Sequence, residues 1–164
     1  MMKLILLLVS LSFSLSAYSD NDFSLYLVRH AEKQSDKDNP SLTSCGLFRA
    51  KQLATMLSET GINKVYSTSY QRTLQTATPF AMQSNLSVKH YSPKNLADFA
   101  FQLKQQQQSS LIVGHSNTTP KLVELLTGKK VAKLSEDNYQ MLYQIQFINN
   151  EMILTVLKQP LQCK

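Results

Sequence analysis

Three histidines and two cysteines are the whole stock of imidazole and thiol ligands in this 164-residue chain. They stand apart, at His30, Cys45, His90, His115 and Cys163, and no pair has the short spacing of a metal site. Four glycines, also far apart, make no cofactor-binding loop. No metal and no cofactor is therefore expected. No internal repeat or domain linker is visible. The one low-complexity patch, Gln105 to Gln108, is too short to be a module and is expected to end a helix on the solvent side. Acidic residues are the minority, 11 against 17 basic ones, for a formal charge of +6. That balance favours anionic ligands, but only weakly. The densest basic cluster, Lys129, Lys130 and Lys133, has no interleaved aromatic residues and no nucleic-acid motif around it. It reads as a solvated loop, and no nucleic-acid partner is expected.

Long apolar runs are missing everywhere except at the start. Met1-Met2-Lys3 is a short positive beginning, Leu4 to Phe13 is apolar apart from Ser10 and Ser12, and Ala17-Tyr18-Ser19 is a small-x-small cleavage site. This is the layout of a secretory signal peptide. A bilayer core needs about 20 apolar residues to cross, so the run is too short for a membrane anchor. Residues 1–19 are expected to be removed, leaving 20–164 as a single domain that is exported, periplasmic or secreted, with no stable membrane span. An oxidising compartment permits a disulfide between Cys45 and Cys163, though spacing alone does not bring the two together. Cys45 has no histidine beside it and matches no thiol-enzyme signature.

The remaining residues alternate between strand and helix patterns. Strands are expected at Phe23–Val28, Lys64–Ser67, Leu86–Tyr91 and Ser110–Val113, with a hairpin of Met141–Ile148 and Met152–Leu157 about Asn149-Asn150. Between them, Leu47, Ala50, Leu53, Ala54 and Leu57 recur at helical spacing after a Thr43 or Ser44 cap, with Gly61 closing that helix. Gln71 to Met82 reads as a helix interrupted or bent at Pro79, Leu96 to Leu103 as a third helix, and Thr118 to Leu126 as a fourth, ended by Gly128. The expected fold is α/β: a three-layer sandwich with a mostly parallel central sheet flanked by helices.

Ligands bind such sheets at the carboxyl ends of the strands. Three polar segments fall at such ends: Arg29-His30, the stretch before Arg72, and Gly114-His115. Together they gather two guanidinium groups and two imidazoles, a set suited to a phosphoryl group. His90 ends the third strand without a motif around it and reads as structural.

These segments resemble the histidine phosphatase superfamily, the phosphoglycerate-mutase-like group. The resemblance rests on Arg29-His30-Ala31, on Leu42-Thr43-x-x-Gly46, on Tyr66-Ser67-Thr68 with Arg72-Thr73-x-Gln75-Thr76-Ala77, and on Gly114-His115-Ser116-Asn117. The motifs follow the family's order across nearly the whole chain after the leader. The departure is Ala31, where the family has Gly. The resemblance implies a phosphatase that hydrolyses phosphate monoesters through a phosphohistidine on His30. Arg29, Arg72 and His115 would hold the phosphoryl oxygens, with His115 also stabilising the transition state. The leaving-group acid would be a carboxylate after the third strand. Asp98 is the nearest, with Glu32 second and Glu136 and Asp137 behind them. The short connections imply an open pocket that admits a phosphorylated small molecule, glycan or protein. Two alternatives stand: a protein phosphohistidine phosphatase of the same superfamily, and a phosphate- or anion-binding protein without turnover.

Overall fold

The structure, a computed structural model, describes residues 22–35, 38–149 and 151–160. The expected signal peptide, the tip of the 36–41 loop and Cys163 lie outside them.

Among the described residues six strands form one sheet: β1 (Phe23–Arg29), β2 (Lys64–Ser67), β3 (Val88–His90), β4 (Ser110–Gly114), β5 (Met141–Ile148) and β6 (Glu151–Lys158). Their order is β3-β2-β4-β1-β5-β6. The first four in that order run parallel, and the β5–β6 hairpin adds antiparallel strands beside β1. β1 and β4 are apolar almost throughout because both of their faces are covered. Four helices do the covering: α1 (Ser44–Met56), α2 (Gln71–Gln83), α3 (Leu96–Gln106) and α4 (Thr118–Thr127). Leu25 and Leu27 of β1 pack with Phe99, Leu103, Leu122 and Leu126 of α3 and α4. The alternate residues Tyr26 and Val28 pack with Leu53, Ala54, Ala77 and Phe80 of α1 and α2. The period-2 alternation of side chains across a strand thus sorts the core into the two faces of a three-layer sandwich.

Local chemistry sets the helix ends. Thr43 caps α1 by accepting from the Gly46 N–H at 3.1 Å, and Gly128 ends α4 at φ +70°. Gln107 closes α3 in the left-handed region at φ +48°, so the glutamine run does finish a helix. Four expectations are corrected. Gly61 does not end α1, which stops at Met56; Gly61 takes φ +68° in the loop beyond. Leu47 is exposed, and Gly46 and Arg49 turn inward in its place. α2 is not interrupted at Pro79 but runs on to Gln83, because Ala77, Phe80 and Ala81 on either side are buried in the core. β3 is shorter than expected: its partner β2 has four residues, and pairing extends only from Val88 to His90.

Candidate active site

Strand register brings the site together. Arg29 lies opposite Gly114, and Ser67 opposite Val113, so β1, β4 and β2 finish at one edge of the sheet. His30, His115 and Thr68 are each the next residue out. The His30 N–H donates to the Gly114 carbonyl at 2.9 Å, and the two imidazole centroids stand 5.6 Å apart, edge to face. Arg72, in the first turn of α2, reaches the same place, its Nη2 3.4 Å from His115 Nδ1. A cleft of about 550 Å³ opens over them, lined by His30, Arg72 and His115 together with Lys33, Lys94 and Glu136. Ser116, Asn117 and Thr118 add the N-terminal end of α4 to its wall. A helix N-terminus favours an anion there.

The hydrogen bonds fix both tautomers. His30 Nδ1 is 2.8 Å from the Ala31 carbonyl oxygen, which can only accept. The proton is therefore on Nδ1, and Nε2 keeps a free lone pair. Burial, aided by the charges of Arg29 and Arg72, lowers the His30 pKa to about 3 despite the Ala31 bond, so the ring is neutral. His115 Nε2 meets Thr68 Oγ1 at 3.0 Å, and Thr68 Oγ1 meets Thr73 Oγ1 at 2.9 Å. Thr73 Oγ1 donates to backbone carbonyls of Tyr70 and Thr68. Protons therefore run outward along this chain, His115 Nε2–H to Thr68 to Thr73, leaving Nδ1 to accept from Arg72. Burial and the two arginines lower the His115 pKa to about 4.

The other motif residues have structural work. Thr76 Oγ1 accepts from the Ala31 N–H at 3.0 Å and donates to the Arg72 carbonyl, tying the nucleophile loop to α2. Gln75 Oε1 accepts from the Leu42 N–H at 2.7 Å. A Cβ on Gly46 would lie 2.2 Å from the Glu32 carbonyl oxygen, which is why glycine stands three residues after Thr43. Ala31 is buried and is not among the positive-φ residues. A methyl in place of the family's glycine therefore meets no backbone penalty.

The structure brings His30, Arg72 and His115 together at the cleft. Arg29 is buried just behind it, and its fork is turned toward the 135–139 segment. Its Nη1 donates to the carbonyls of Ser135 and Asn138 at 2.8 and 3.2 Å, and its Nη2 to Glu136 Oε2 at 2.9 Å. The Tyr139 ring covers its Cζ at 4.2 Å. Asp98 is not brought in. It is exposed in the first turn of α3, because the periodicity that buries Phe99, Ala100 and Leu103 turns it outward. Its neighbours Pro93 and Lys94 line the cleft instead. Glu32 is held by buried Arg49, whose Nε and Nη2 both donate to its carboxylate. Asp137 is exposed, and so is His90, whose Nδ1 is 3.5 Å from Ser69 Oγ. Among the described residues, the carboxylate that does line the cleft is Glu136. Sequence reasoning ranked it low because it sits in a long irregular loop with no periodicity to place it. Lys33 and Lys94 carried no signal beyond their closeness to His30 and to the third strand.

Cys45, beside the α1 cap, is disulfide-bonded. Among the described residues no three His, Cys, Asp or Glu side chains converge as metal ligands, and no helix is long and apolar enough to cross a membrane.

Residues 25–102 match the histidine phosphatase superfamily (branch 1). No curated protein matches the chain. Among solved structures, the fold is similar to that of the protein histidine phosphatase SixA complexed with tungstate. The TM-score is 0.67 at 15% identity, over 83% of this chain and 97% of that one. It is similar to the alpha-ribazole phosphatase from Shigella flexneri, with a TM-score of 0.69 at 18% identity over 84% and 96%. It is also similar to a mycobacterial glucosyl-3-phosphoglycerate phosphatase, with a TM-score of 0.69 at 11% identity over 84% and 99%. At these identities the likeness is one of fold.

Proposed function

Because the chain belongs to the histidine phosphatase superfamily, we propose that it hydrolyses phosphate monoesters through a covalent phosphohistidine on His30. The observation that carries this reading is the tautomer of His30. A neutral ring with its proton pinned on Nδ1 presents the Nε2 lone pair to a phosphorus atom, in a cleft where Arg72 and His115 face the same space. Attack forms the Nε2–P bond as the bond to the leaving oxygen breaks, and water then cleaves Nε2–P to release inorganic phosphate. Splitting the reaction this way replaces one hard displacement by two easier ones. Arg72 supplies a planar fork matched to phosphoryl oxygens. His115, neutral in the empty site, gains a proton on Nδ1 in the field of a bound dianion and then donates to it.

The cleft is open, which suits a phosphoryl group carried on a larger body: small molecule, glycan or protein. The protein phosphohistidine phosphatase reading stays as a second one, favoured by the likeness in fold to SixA. The chain works outside the cytoplasm in this reading. Two features support that: the leader pattern of residues 1–19 and the disulfide at Cys45, a bond that persists in oxidising compartments.

Hydrolysis of an aryl phosphate tests the activity, because a phenolate leaves without a strong proton donor. Purified protein lacking residues 1–19 is expected to turn it over, and His30→Asn to abolish turnover with an unchanged circular dichroism spectrum. Equal rates in the two proteins would remove His30 from the chemistry.

A further inference from the structure

Arg29 is the residue of the expected phosphoryl clamp that does not face the cleft freely. Its side chain is 1% exposed. Two backbone carbonyls hold Nη1, which locks the guanidinium in place. The other edge of the fork is different. Nε is buried without a hydrogen-bond partner, and Nη2 is taken by Glu136 Oε2. Nε and Nη2 together form the edge that grips a tetrahedral oxyanion with two parallel bonds. One of those donors is therefore unmet, and the other is met by a carboxylate.

That carboxylate stands mostly in solvent. The Glu136 side chain is 80% exposed, and its Oε1 accepts from Ser116 Oγ at 2.8 Å. Arg72 and Lys33 act on it electrostatically as well as Arg29. One solvent-exposed negative group thus sits among three cations, in the wall of the cleft that holds His30 and His115.

Resting on the phosphoryl-binding reading above, we propose that Glu136 is an internal substitute for the substrate's phosphoryl group, occupying Arg29 Nη2 until a phosphoryl oxygen displaces it. The exchange needs only a change of side-chain rotamer. The Nη1 bonds to Ser135 and Asn138 stay, so Arg29 does not move. A phosphoryl dianion takes both Nε and Nη2 and offers twice the charge. The displaced carboxylate returns to water, where it is already mostly exposed, so its release costs little. Until then it partly neutralises a buried arginine that would otherwise lack a counter-charge. The device also selects ligands. A dianionic monoester replaces one charge by two, whereas a carboxylate or a phosphodiester exchanges one charge for one and gains only the Nε bond. Glu136 is thus a specificity-determining residue, and the same contacts disfavour its service as a proton donor. Held by Arg29 and Ser116, it is kept ionised.

Inhibition of aryl phosphate hydrolysis by inorganic phosphate tests the exchange. It is measured in wild type, in Glu136→Gln, and in Asp137→Asn, which removes the same charge from the adjacent exposed residue. Glu136→Gln is expected to bind phosphate about tenfold more tightly, the scale of one charge-assisted hydrogen bond no longer competed for. Asp137→Asn is expected to change binding by less than about twofold. Dimethyl phosphate, a monoanionic diester, is expected to inhibit the Gln variant more strongly than wild type. Equal effects of the two substitutions would overturn the exchange and leave a general charge effect. A loss of turnover in Glu136→Gln with phosphate binding unchanged would overturn it in favour of a proton-transfer role. If phosphate inhibits none of the three proteins, the phosphoryl-binding reading itself falls, and the exchange with it.

Discussion

His30 and His115 are kept neutral by burial and by two guanidinium groups, and that has a consequence for stability. Their folded pKa values, about 3 and about 4, lie below the ordinary 6.5. Between pH 6.5 and those values the unfolded chain binds protons that the folded chain does not. Stability therefore rises with pH across this window and is lost as pH falls through it. Urea midpoints in buffer free of phosphate and sulfate should drop from pH 7 to pH 4.5. The drop should be smaller in His30→Asn, which deletes one of the two groups; an equal drop would mean that His30 is not held neutral. The same burial that costs acid stability keeps the nucleophile unprotonated. Most of this was legible in the sequence. His30 and His115 follow apolar strand runs directly, and Arg72 opens a helix, so local pattern alone places each one. Asp98 shows the limit: an acid after the third strand fits the family pattern, but helix phase, set by Phe99 and Leu103, turns it outward. Glu136 was ranked low because a contact 107 residues away in sequence, to Arg29, is what positions it.

At the scale of elements, the site depends on how closely the loop after β1 approaches α1. The Thr43 N–H donates to the Glu32 carbonyl at 2.9 Å, and Gly46 lies against the same peptide. Below the loop, Arg49 of α1 grips the Glu32 carboxylate from a buried position. Gly46→Ala should force the two apart and destabilise the protein by about 3 kcal/mol, the upper range for overpacking. Denaturant unfolding checks this; a loss under about 0.5 kcal/mol, the size of an ordinary surface change, would show that α1 shifts freely. The sequence announced this contact only as a spacing, Thr43-x-x-Gly46. It gave the helix and its cap but not the reason for the glycine, which lies in backbone 14 residues earlier. Leu47 misled for a related reason. It keeps the apolar spacing, yet the first turn is set by its approach to Glu32 rather than by apolar periodicity.

For the whole molecule, the register of three parallel strands places the chemistry at one edge, and the antiparallel hairpin extends the sheet on the far side. Alternating apolar runs made this architecture readable, because each strand of a doubly covered sheet is a short apolar segment. Strand order was not readable, since it depends on which crossovers pack. The proposed setting of the molecule can be checked directly. In cells making the full-length chain, the mature protein should begin near Asp20 and be found outside the cytoplasm, with no free thiol under denaturing, non-reducing conditions. An intact Met1 in cytoplasmic protein would contradict export.

Brief reaction with a ³²P-labelled aryl phosphate, quenched and mapped by peptide, bears most directly on the central claim. The account predicts a phosphoenzyme that survives alkali, is lost in mild acid, and maps to the peptide containing His30, with none formed by His30→Asn. Turnover without any trapped label, or label on another residue, would contradict it.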